Sequence, residues 1–194
     1  YKLAAKTEGS GRTEDDLAFL RDPSEFRNLQ LVEQPNGDFA DTIARQFFFD
    51  SYDVLFLEKL SLSAYTELAG IAAKALKEAQ YHLRHAQRWM LRLGDGTEES
   101  HNRLQDSVVN LWCFSKELFV PDNLDHVLVT ERIGVDLKAI NSSWRETVTD
   151  TFREATLDIP GDEQYFASGS RGGYHTEHLG FLLAEMQVLQ RTHP

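Results

Sequence analysis

Apolar residues recur at three- and four-residue steps along most of the chain, the period of amphipathic helices, and no stretch alternates long enough to make a strand. Between Phe39 and Leu60, Ile43, Phe47, Val54 and Leu57 share one face, while Phe48, Phe49, Tyr52 and Phe56 fill the others. A helix apolar nearly all round belongs at the centre of a bundle. Asp38, just after the turn residues Pro35, Asn36 and Gly37, is placed to cap it. Leu68, Ile71, Ala75, Ala79, Ala86, Trp89 and Leu93 predict a second long helix from about Thr66 to Leu93, stopped at Gly94. Thr97, followed by Glu98 and Glu99, caps a third, whose stripe Leu104, Val108, Leu111, Trp112, Ser115 and Phe119 ends at Pro121.

Residues 123–134 read equally as a short helix or a strand. Val135 to Ala155 is helical through Leu137, Ile140, Trp144, Val148 and Phe152, and His175 to Arg191 through Leu179, Leu182, Leu183, Met186 and Leu189. A short N-terminal helix capped by Thr13 stops near Pro23. Residues 156–173, with Pro160, Gly161 and the run GSRGG, form a long irregular excursion. The class is all-α, in one helical domain over residues 1–194, with no internal repeat.

Charge and cysteine content narrow the partners. A net charge of −11 weighs against nucleic acid and against an anionic membrane surface. No apolar run approaches the roughly 20 residues that a bilayer needs. Cys113, the single cysteine, leaves no intrachain disulfide and fits a reducing cytoplasm; its neighbours Leu111, Trp112 and Phe114 make it a packed core residue.

Projected at about 100° per residue, Asp50 falls within roughly 20° of the centre of its helix's apolar stripe. Glu78 and His82 fall among Ile71, Ala75 and Trp89. Burying such groups costs several kcal/mol each unless they are paired or bind a metal. Di-iron bundles use Glu-x-x-His on two helices. Here Glu78-Ala79-Gln80-Tyr81 puts Tyr81 where the His is needed, and His82 comes one residue late. The expectation is a degenerate site without metal or catalytic residues, in which Lys74 or Lys77 pairs with a buried Asp50. An intact di-metal site, and exposure of these groups by a different helix rotation, stand beside it. Arg171, His175, Glu177 and His178, around a Gly-rich loop without the phosphate-loop order, are read as interface residues. The rival reading is a metal-dependent oxidase or ferritin-like protein in its own right, using Glu78, His82, His175 and His178.

Three blocks carry a resemblance: LVEQPNGDFADTIARQFFFD at Leu31 to Asp50, IAAKALKEAQYHLRHAQRWMLRLGDGTEES at Ile71 to Ser100, and GGYHTEHLGFLLAEMQVLQR at Gly172 to Arg191. With these in order, the chain resembles the structural C subunits of bacterial ring-1,2-phenylacetyl-CoA epoxidases over nearly its whole length. The resemblance implies a ferritin-like helical bundle, and a non-catalytic subunit that supports a di-iron catalytic A subunit in a cytoplasmic hetero-oligomer of phenylacetate breakdown. It implies no cofactor in this chain, the di-iron centre and the NADPH-derived electrons belonging to partner subunits. It also implies two further helices before Tyr1.

Overall fold

The computed structural model describes residues 1–161 and 165–193. It is helical, with no strand among the described residues. The α-helices are α1 (Lys2–Glu8), α2 (Glu14–Phe19), α3 (Phe39–Leu60), α4 (Thr66–Gly94), α5 (Glu98–Trp112), α6 (Asn123–Thr130), α7 (Leu137–Glu154) and α8 (Glu177–Thr192). None of them is long and apolar enough to cross a membrane. The chain forms two compact units, Asn36–Ala167 and Tyr1–Pro35 with Ser168–Pro194. Part of the predicted excursion, residues 162–164, lies outside the described residues.

In the larger unit α3 packs against α4, α5 and α7, and α4 against α5 and α7. The start of α3 is fixed chemically: Asp38 Oδ1 accepts from the Ala40 and Asp41 amides at 2.7 and 3.1 Å, and Asp41 Oδ2 accepts from the Asp38 amide. Reciprocal boxes of the same kind start α2 at Thr13, α5 at Thr97 and α6 at Asp122. The Asp122/Asp125 box settles the ambiguous residues 123–134 in favour of a helix. Phe47 and Phe48 are fully buried, and Phe48 gathers the rings of Trp112, Trp144 and Phe152 at 5.8, 6.0 and 6.0 Å. The buried Trp144 indole N–H donates to the Phe48 carbonyl at 3.1 Å, so α7 is tied to α3 by a polar bond inside an aromatic core.

Two predicted details shift. The third long helix stops at Trp112 rather than Phe119, because Ser115 Oγ donates to the Trp112 carbonyl at 2.7 Å and the chain tightens into a 3₁₀ turn over Lys116–Phe119. Cys113, at that break, is half-buried rather than a core residue, and burial raises its thiol pKa. The second shift is rotational. The buried face of α4 is Ala72, Ala79, Ala86, Met90 and Gly94, while Ile71 is exposed. Alanines spaced by seven let α3 approach closely, which turns the bulkier Ile71 and Trp89 to the rim.

In the smaller unit Phe26, Leu179 and Leu183 form the core, with Met186 against it. The Arg21 guanidinium lies 4.1 Å over the Phe26 ring while its Nε donates to the Leu17 carbonyl at 2.6 Å, so α2 and the turn after it are held by one side chain.

Candidate functional site

The ionisable residues singled out above sit at two places. The first is the middle of α3. Asp50 is 2% exposed and accepts from the Gln46 amide at 2.6 Å through Oδ1, while its Oδ2 is buried without a hydrogen bond. Burial pushes its pKa from 3.8 to about 6; the Gln46 hydrogen bond and His82 oppose the rise, and Asp53 adds to it. Burial also raises the pKa of Asp53, one turn on, against His82.

Glu78, Tyr81 and His82 are all exposed, since the alanine face of α4 takes the core and leaves them on a flank. Lys74 and Lys77 are exposed too, and neither makes an ion pair among the described residues. The expected Asp50–lysine pair is therefore replaced by a Gln46 hydrogen bond: both lysines point away from the core on the outer side of α4. As a metal site the donors do not fit. Tyr81 is turned to solvent, Asp50 is held by an amide, and among the described residues no three His, Cys, Asp or Glu side chains converge in a way that would hold an ion.

Asp50 has a checkable effect on stability. Its carboxyl binds a proton more tightly in the folded chain than in the unfolded one, so ionisation destabilises the fold. The penalty is absent below pH 3.8, grows through pH 6 and is complete above it. A shift of about two units corresponds to roughly 3 kcal/mol. Asp50→Asn is expected to raise stability at pH 7.5 by about 1–3 kcal/mol and to flatten its decline between pH 4 and 7. Urea midpoints across that range check this, and a variant that lost stability at pH 7.5 would contradict it.

The second place is in the smaller unit, at the start of α8. Glu33, 2% exposed, accepts at Oε1 from His175 Nδ1 at 2.5 Å and Asn28 Nδ2 at 2.8 Å. At Oε2 it accepts from the Thr176 amide at 2.7 Å and the Thr176 hydroxyl at 2.8 Å. The other nitrogen of His175 faces the Phe26 carbonyl at 3.1 Å. Each nitrogen of the ring therefore faces an oxygen of the smaller unit. A carboxylate is thus placed at the positive end of α8, where the side chain of the N-cap residue, Thr176, makes no capping bond.

His175, expected at an interface, is instead turned inward onto Glu33, its side chain 7% exposed. Glu177 is exposed, and Arg171 and His178 are half-buried. Glu33 itself escapes sequence reading. It lies 142 residues from His175, in a segment that reads only as a turn, and no periodicity marks such a pairing.

The whole chain, residues 1–194, matches the family model for phenylacetic acid catabolic proteins. It is also similar to the C subunit of the 1,2-phenylacetyl-CoA epoxidase of Escherichia coli (strain K12), with 49% identity over 191 residues, covering 98% of this chain and 76% of that protein. With an all-helical fold and a match along its full length, the chain belongs to the phenylacetic acid catabolic protein family.

Proposed function

We propose that the chain is the structural, non-catalytic subunit of a multicomponent phenylacetyl-CoA epoxidase and supports a separate di-iron catalytic subunit. The observation that carries the reading is the 49% identity, over 98% of the chain, to the C subunit of the Escherichia coli epoxidase. The donor set supports the division of labour. A di-iron bundle needs Glu-x-x-His on inward faces, whereas here Glu78 and Tyr81 lie on an exposed flank and Asp50 is engaged by Gln46. Oxygen chemistry and NADPH-derived electrons then belong to the partner subunits. This chain's part is to present surface, and α8 leaves Phe181, Val188 and Leu189 at 71, 59 and 64% exposure, more apolar area than a solitary helix gains by showing. The rival reading as an oxidase in its own right needs His175 free to hold an ion, yet His175 is committed to Glu33.

Co-expression with the catalytic partner tests the reading. A stable hetero-oligomer in native mass spectrometry, with epoxidation of phenylacetyl-CoA lost when this chain is omitted, is the expected result. Full turnover by the catalytic partner and reductase without it would contradict the proposal.

A further inference from the structure

The outward face of α4 is basic. Lys74, Lys77, Arg84, Arg88 and Arg92 fall within an arc of about 80° and run about 27 Å along the axis, opposite the buried Ala72, Ala79 and Ala86. From Lys74 to Arg92 the only acid is Glu78, in a chain whose net charge is −11. Three arginines outside the arc are, by contrast, ion-paired: Arg103 meets Asp38 and Glu99 at 3.1 and 2.8 Å, Arg153 meets Asp150 at 2.8 Å, and Arg191 meets Asp22 at 3.2 Å. Lys74, Lys77, Arg84 and Arg88 make no ion pair or hydrogen bond among the described residues. Arg84/Arg88 and Arg88/Arg92 are like charges one turn apart, a spacing that destabilises an isolated helix. An external counter-charge laid along the stripe would relieve that repulsion.

We propose that this arc of α4 is a docking surface for an acidic face of a partner subunit. Charge complementarity picks the occupant. The exposed Tyr81, at 62%, lies within the arc and supplies the apolar anchor such a contact uses. A groove of about 430 Å³ borders the arc, with Arg84 and Arg88 on its α4 rim and Asp150 and Glu154 on its α7 rim. The two rims carry opposite charges, so a partner's acidic row is guided along α4 and away from α7. The same acidic rim disfavours a nucleic-acid strand, which presents one sign of charge throughout.

The inference rests on the subunit reading for the existence of a partner, and its test separates the two. The wild-type chain and the variant Lys77→Glu/Arg84→Glu/Arg88→Glu are titrated with the purified catalytic partner and with the reductase at 50 and 300 mM salt. A second variant, Lys77→Gln/Arg84→Gln/Arg88→Gln, keeps strong helix formers at all three positions. Unchanged far-ultraviolet dichroism and melting qualify each variant. The expected result is at least about a tenfold loss of affinity for one component in both variants at low salt, with a shallower salt dependence than wild type. Wild-type assembly that both variants reproduce would overturn the docking surface and leave the subunit reading standing. If the wild-type chain pairs with neither component, the subunit reading fails, and a Glu-rich helical peptide replaces the partner; absence of saturable, arginine-dependent binding then overturns the docking surface as well. Arginine-dependent self-association, or equal binding of single-stranded DNA, would also overturn it, by naming a different occupant.

Discussion

Glu33→Ala should destabilise the smaller unit by about 3–5 kcal/mol, since it strands four donor groups at once and each buried donor left without an acceptor costs about 1–3 kcal/mol. The reason is the number of groups that this carboxylate serves. His175, with a side chain 7% exposed, loses the acceptor at its Nδ1, and the Thr176 amide and hydroxyl and the Asn28 amide lose theirs. The orphaned amide is a helix N-terminal donor, whose lost cap alone is worth about 1 kcal/mol. Glu33→Gln keeps the shape and one acceptor oxygen, so its effect should be smaller. Hydrogen exchange locates the damage: the first turns of α8 should lose protection in Glu33→Ala before the amides of α3 do. Equal loss in α3 and α8, or a change below about 0.5 kcal/mol, would show that Glu33 does not hold this unit together.

Phe48→Ala should be similarly damaging, by about 3–5 kcal/mol, but in the larger unit. Phe48 is fully buried and its ring lies within 6.0 Å of Phe47, Trp112, Trp144 and Phe152, so truncation opens a void against large rigid rings that cannot collapse into it. The backbone carbonyl that binds the Trp144 indole remains, which keeps α7 in register and makes the loss one of packing alone. For a chain of 194 residues each kcal/mol corresponds to roughly 2–4 °C in melting temperature. Phe48→Leu refills part of the space and should recover about half of the loss. Calorimetry with tryptophan fluorescence checks both variants, since Trp112 and Trp144 report directly on this cluster.

What can be read from the sequence follows the range of the interactions involved. The bounds of α3 are legible to the residue because a local cap at Asp38 and a strong apolar period agree. The caps at Thr13 and Thr97 are legible for the same reason. The facing of α4 is not, because periodicity counts Ile71 and Trp89 as core, whereas close helix packing favours the smaller alanines at 72, 79 and 86. That rotation moves Glu78 and His82 to the surface and removes the supposed lysine partners from Asp50. The end of α5 is hidden because a single side-chain bond at Ser115 overrides a continuous stripe. Glu33 and His175 meet only through tertiary structure.

The catalytic division of labour is open to one direct measurement: iron counted in each component after the active assembly is separated, with turnover followed on recombination. The expected result is iron confined to the catalytic partner, this chain carrying substoichiometric metal even after anaerobic reconstitution, and turnover restored only when both are present. About two irons retained per copy of this chain, or epoxidation by this chain with the reductase alone, would contradict it.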